Sequence, residues 1–136
     1  MVVGYSWADA DEKASKFVIP VTDDGLPGAG PIRRTKWFRG LWEHRRAAFA
    51  KQMVDKQGAV VFLGDSITQG WRDDFRGHFV GVNKANRGIS GHTTRGMLIR
   101  LQRDVLPLNP SAFIMLMGPT TWKSRLPRKS SPAMSN

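Results

Sequence analysis

Four consecutive apolar residues, Val60-Val61-Phe62-Leu63, run directly into Gly64-Asp65-Ser66-Ile67-Thr68-Gln69-Gly70-Trp71. No other stretch constrains the fold as strongly. Two of the four are β-branched and one is aromatic, the pattern of a strand buried on both faces of a parallel sheet. Gly64 breaks the strand, and Asp65-Ser66 stand where the chain turns into a helix. Ligands of open α/β sheets bind beyond the carboxyl ends of the strands. A serine there is a candidate nucleophile, and its neighbouring backbone N–H groups can face a developing oxyanion. The plainer reading is that Asp65 or Ser66 only caps the helix. Local sequence leaves both open.

The neighbouring segments extend the same plan. Trp37, Phe38, Leu41 and Trp42 recur at helical spacing, and with Ala47, Ala48, Phe49 and Met53 they predict a helix from about Thr35 to Lys56, ended by Gly58. Residues 73–79 fit the end of a helix and a turn, and residues 81–87 a short second strand. The loop Gly88-Ile89-Ser90-Gly91 is glycine-rich, which lets backbone approach a ligand closely. Thr93 or Thr94 then caps a helix running to about Val105 and stopping before Pro107. Phe113-Ile114-Met115-Leu116-Met117-Gly118 reads as another buried parallel strand. Strand–helix–strand–helix–strand predicts an α/β fold, a three-layer α/β/α sandwich, flavodoxin-like in the broad sense.

Gly64-Asp65-Ser66 and its strand resemble the first motif of the GDSL, or SGNH, family of ester hydrolases. Asn86-Arg87-Gly88-Ile89-Ser90-Gly91-His92-Thr93-Thr94-Arg95, with Leu98, Arg100 and Leu101 beyond it, resembles the family's glycine block. The likeness is greatest to the branch resembling the catalytic subunits of platelet-activating-factor acetylhydrolase. The resemblance implies Ser66 as nucleophile, supported by Asp65, with the N–H groups of Ser66 and Gly91 in the oxyanion hole. It implies short acyl or acetyl esters as substrates and no metal or organic cofactor. His92 has no role in the family pattern.

The pattern then fails. The family places Gly-x-Asn at the end of the third strand, whereas this chain has Gly118-Pro119-Thr120-Thr121-Trp122. The family's downstream Asp-x-x-His is also missing: no His follows His92 and no Asp or Glu follows Asp104. His44, His78 and His92 match no family motif, and His44, beside Arg45 and Arg46 on a helix, reads as a surface residue. A shift of reading frame at Gly118 would permit the lost motif. The codons of Pro119, Thr120 and Thr121, read from their third bases, allow Asn then Asp, and those of Trp122 and Lys123 give Glu. The expectation is a sandwich incomplete at the C-terminus, with little or no esterase activity.

Charge offers a different reading. The chain carries +10, and residues 119–136 supply Lys123, Arg125, Arg128 and Lys129 with no acid. Removing them leaves 17 basic against 11 acidic side chains, with an excess partly concentrated between Arg33 and Arg46. A basic tail binds nucleic acid or another polyanion through counterion release, so a non-catalytic α/β module is the second reading. A short active enzyme completed by another chain or by His92 is the third. The expected organisation is an irregular, poorly structured lead-in over 1–31, the hydrolase-like part over 32–118, and a non-native-looking basic tail over 119–136. The chain has no cysteine, which excludes disulfides and thiolate metal sites. No apolar run approaches a membrane span, and no signal peptide is visible. Cytoplasmic location is the default expectation, although a misassigned start codon would hide an export signal.

Overall fold

The computed structural model describes residues 17–117. They form a mixed α/β fold built from α1 (Lys36–Lys51), β1 (Val60–Gly64), α2 (Ser66–Gly70), β2 (Lys84–Gly88), α3 (Thr94–Asp104) and β3 (Ala112–Leu116). Short 3-10 turns lie at Phe75–Gly77 and Leu106–Leu108. The strands are all parallel, in the order β2-β1-β3. Gly64 pairs with both Gly88 and Leu116, so the three carboxyl ends finish level.

Alternation along β1 builds a different layer on each face of the sheet. Val61 and Leu63 are buried with Ala85 of β2, Met97 of α3, and Val105 and Leu108. Phe62 points to the other side, where the rings of Trp71, Phe75 and Phe79 lie 5.9, 4.8 and 5.7 Å from its own. A second cluster joins Ile19, Phe38, Trp42, Phe49 and Ile89. Burial of each such side chain contributes about 1.5–3 kcal/mol.

Helix α1 starts where the Thr35 side chain accepts the Phe38 N–H at 3.3 Å, and its buried stripe is Phe38, Trp42, Arg46 and Phe49. It ends at Lys51, not near Lys56 as expected. The following residues tighten into i→i+3 turns, because the chain must reverse at Gly58 (φ +72°) to enter β1. The Gly58 N–H donates to the Leu108 carbonyl at 2.7 Å, which fixes that reversal. Trp37, expected on the apolar face, is 62% exposed.

Strand β2 begins at Lys84 rather than Gly81, since a turn closed by the Val82 N–H on the Phe79 carbonyl occupies the preceding residues. Helix α3 matches its expected limits, with the Thr93 hydroxyl accepting the Gly96 N–H at 3.2 Å. Strand β3 is parallel as expected but not buried: Phe113, Ile114 and Met115 are 41%, 40% and 42% exposed. β1 is its one strand neighbour among the described residues.

The lead-in also departs from expectation. Residues 17–31 hold no strand, and their turn-rich composition is reflected in bends, but they are fastened to the fold. Ile19 is fully buried. Asp23 pairs with Arg34 and, at 2.8 Å, with Arg95. The Thr93 hydroxyl donates to the Pro31 carbonyl at 2.7 Å. Polar bonds and the burial of Ile19, not regular structure, order this segment. Residues 1–16 of the lead-in, Gly118 and the basic tail lie outside the described residues. No helix among the described residues is long and apolar enough to cross a membrane.

Candidate functional site

Ser66 stands at the carboxyl end of the central strand. Asp65, with φ −98° and ψ −143°, turns the chain out of β1, and its carboxylate accepts the Ile67 N–H at 3.0 Å. The capping role weighed for Asp65 is therefore realised, and it leaves the Ser66 side chain exposed. The N–H groups in the first turn of a helix have no intrahelical acceptor. Those of Ile67 and Gln69 are taken by Asp65, while that of Ser66 makes no hydrogen bond among the described residues.

Two glycines let α2 sit this close to the sheet. A methyl at Gly64 would lie 2.0 Å from the Thr68 hydroxyl oxygen, and one at Gly88 would lie 2.3 Å from the Gln69 backbone nitrogen. Asn86, buried on β2, locks the other end of α2 by donating to the carbonyls of Thr68 at 2.6 Å and Arg72 at 3.0 Å. Its own side-chain carbonyl accepts the Gly88 N–H at 2.9 Å. Sequence reasoning placed Asn86 only within the glycine block and gave it no part.

The glycine loop is held beside α2 from both sides. The Ile89 N–H donates to the Gly64 carbonyl at 3.1 Å, and the Ser90 N–H donates to the Gln69 side-chain carbonyl at 2.7 Å. Gly91 follows with φ +78°, a left-handed conformation that favours glycine. A side chain there would also press on Trp37, Arg33 and Phe38 at 3.3–3.4 Å. The Gly91 N–H, like that of Ser66, makes no hydrogen bond among the described residues.

Beside Ser66 opens a cleft of about 600 Å³, lined by Trp71, Phe75, Phe79, Arg76 and His78 among others. Its wall is conformationally strained. Arg72, Phe75, Arg76 and Phe79 all have φ between 51° and 63°, the left-handed region that non-glycine residues avoid. Ring packing around Phe62 and two bonds from the Arg76 guanidinium to the Gly70 carbonyl, at 3.1 and 3.0 Å, hold it there. These cleft residues were not legible in sequence, because only the fold back of residues 72–79 brings them to Ser66.

The three histidines fall in three environments. His44 is exposed on α1, as expected. His78 is exposed and lines the Ser66 cleft, but no hydrogen bond joins it to Ser66. His92 is 3% exposed, and its ring lies against Phe38 and Trp42 with centroids 6.3 and 5.3 Å away. Burial holds its imidazole well below the usual value; the Arg100 and Arg46 guanidiniums act in the same direction, and backbone at Gly96 and Gly64 opposes them. His92 does not line the cleft. No group of three His, Cys, Asp or Glu side chains that could hold a metal occurs among the described residues.

The basic stretch from Arg33 to Arg46 is largely engaged within the fold. Arg34 binds Asp23 and the Pro20 carbonyl, and Arg39 the carbonyls of Arg34 and Ile19. Arg45 binds the Gly88 carbonyl and Asp73, and Arg46 binds Asp104. Those guanidiniums are not presented as an open polyanion surface. Comparison with protein-family models, with curated proteins and with solved structures found no match to this chain.

Proposed function

We propose that the chain is the N-terminal part of a GDSL/SGNH-type serine hydrolase domain, an α/β/α sandwich acting on short acyl esters. The observation that carries this reading is an exposed serine at the carboxyl end of the central strand, where the chain turns into a helix. Ser66 ends the turn out of β1 with its own N–H unbonded, and the Gly91 loop is pinned beside α2 with its N–H unbonded as well.

In the proposed reaction the Ser66 hydroxyl oxygen attacks the ester carbonyl. The N–H groups of Ser66 and Gly91 hold the oxyanion, the alcohol leaves, and water releases the acid. The cleft of Trp71, Phe75 and Phe79 gives the substrate an apolar wall. The hydroxyl proton needs an oriented acceptor, and among the described residues none is bonded to Ser66. Loss of such a group costs about 10⁴–10⁶ in rate. The described chain is accordingly a nucleophile with part of its oxyanion hole and no base.

Labelling by a fluorophosphonate together with turnover of p-nitrophenyl acetate tests this. Slow labelling that disappears in Ser66→Ala, with turnover at the buffer rate, is the expected result. Labelling unchanged by Ser66→Ala would remove Ser66 as nucleophile. Rapid turnover abolished by Ser66→Ala would show that the base is present after all. Resequencing the DNA across codons 115–125 tests the frameshift origin of the tail; the expected finding is a second frame encoding Asn-Asp.

A further inference from the structure

Ile67, Trp71, Phe75 and Phe79 give the cleft beside Ser66 its apolar surface, and Arg76 and His78 are the titratable side chains that line it. No acid lines it among the described residues. The two nearest carboxylates in the chain are engaged elsewhere. Asp73 binds Arg45 at 3.3 Å and Gln52 at 3.4 Å, and Asp74 accepts the Arg76 backbone N–H at 3.0 Å.

Arg76 is a positioned cation. Its Nε and Nη2 both donate to the Gly70 carbonyl, at 3.1 and 3.0 Å, so one edge of the guanidinium is fixed to the last residue of α2. A guanidinium has five N–H donors. Two are used there, and the remaining three, at its outer end, meet no acceptor among the described residues. That end has the geometry that takes a carboxylate or a phosphate through two parallel bonds. The Arg76 backbone, at φ 53°, is held in a conformation that persists in a non-glycine residue only where its surroundings impose it.

Helix α2 sets the distance from this cation to the serine. It runs from Ser66 to Gly70, five residues, or about 7.5 Å of helix. The bond to the Gly70 carbonyl lies beyond its last residue, which puts the guanidinium about 10 Å from the Ser66 backbone. The cleft touches both residues and holds about 600 Å³, enough for a small organic molecule. Trp71 follows Gly70 directly and lines the same space.

We propose that this cleft selects esters bearing one anionic group, a carboxylate or a phosphate, which Arg76 holds while the apolar part lies against Trp71, Phe75 and Phe79. The inference rests on the hydrolase reading of Ser66 and gives that site a substrate class. His78 lines the same space and adds an N–H, which imidazole can donate in either protonation state. A neutral ester of the same size leaves the outer Arg76 donors to water; an anionic one fills them.

Calorimetric titration of the full chain tests the cleft without using the chemistry of the serine. The probes are 4-phenylbutyrate, 3-phenylpropyl phosphate and the neutral 4-phenylbutan-1-ol, all at one ionic strength. At least one anion should bind about tenfold tighter than the alcohol, and the tighter of the two tells carboxylate from phosphate. Arg76→Gln should abolish that preference. Lys51→Gln, which removes the same charge from an exposed position outside the cleft, should keep it. If Arg76→Gln does not fold, the preference of the unaltered chain decides, together with protection of Ser66 from a fluorophosphonate by the same anion. Equal binding of anions and alcohol, no protection of Ser66, or equal loss in both variants overturns the proposal and leaves the serine reading standing. Failure of the fluorophosphonate to label Ser66 at all removes that reading, and the substrate class with it.

Discussion

The Gln69 side-chain carbonyl accepts the Ser90 N–H at 2.7 Å, and so joins the helix that begins with the candidate nucleophile to the loop that carries Gly91. Gln69 sits three residues after Ser66 on α2, and Ser90 immediately precedes Gly91. With the bond from the Ile89 N–H to the Gly64 carbonyl, this bond fixes the Gly91 loop against the start of α2. Gln69→Met keeps the volume and removes the acceptor. It should lower stability by only about 1 kcal/mol, while slowing fluorophosphonate labelling of Ser66 by about tenfold or more. Urea unfolding and labelling rates, measured on the same preparations, separate the two effects. A labelling rate that falls no further than stability does would deny the clamp its role.

Gly88 gives a sharper steric prediction. Its missing side chain leaves the space into which the Gln69 backbone nitrogen fits, and backbone cannot swing aside as a flexible side chain can. Gly88→Ala should cost about 1–3 kcal/mol, the usual range for overpacking, and displace α2 from the sheet. Gly40→Ala, at an exposed helical position where an added methyl meets nothing within 4 Å, is the control and should be neutral or slightly stabilising. Denaturation midpoints of the two variants check the contrast.

How much of this was legible in sequence depends on what marked each residue. The turn from β1 into α2 was legible because four apolar residues stop at a glycine. The α3 limits were legible because Thr93 and Pro107 mark both ends. Ile19 was not, since one isoleucine among turn formers has no period to betray its burial. Arg87 and Arg100 stood in the sequence only as members of the glycine block, and their burial against Phe49 depends on contacts that no local pattern marks. Exposure of β3 was also hidden, because an apolar run predicts burial whether or not a covering layer is present.

Asp104 supplies the one side-chain carboxylate that Arg46 and Arg100 share, and its backbone carbonyl accepts from Arg87. Asp104→Asn keeps the shape and deletes the only buried negative charge in the cluster. Removing one partner from a buried ion pair costs about 3–5 kcal/mol. That is a large share of a small domain's total stability. The variant should lose its cooperative urea transition or shift it far to lower denaturant. A midpoint close to that of the unaltered chain would mean that the carboxylate is dispensable.

His92 should make stability depend on pH with a defined sign. The folded state holds its imidazole neutral because it is buried next to Arg100, whereas the unfolded chain takes up a proton below about 6.5. The unfolded state binds more protons, so stability is full above that value and declines as pH falls below it, towards the depressed folded value. The slope is at most about 1.4 kcal/mol per pH unit. His92→Asn keeps an acceptor for Arg100 and cannot titrate. Subtracting its pH profile from that of the unaltered chain should isolate the decline between about pH 6.5 and 5. Parallel profiles would show that His92 is solvated in solution.

Among the described residues no strand lies on the outer side of β3, which makes that edge a template. Ala112 to Leu116 contain no charge and no proline, the features with which natural edge strands discourage unwanted pairing. A second β3 can add to it in either direction, so each molecule is a potential nucleus for the next. Loss of the monomer would then be second order, negligible in dilute solution and rapid in a concentrated one. How long this chain survives in a cell depends on its copy number as much as on its folding free energy. Ile114→Lys on that edge should slow the concentration-dependent loss of monomer.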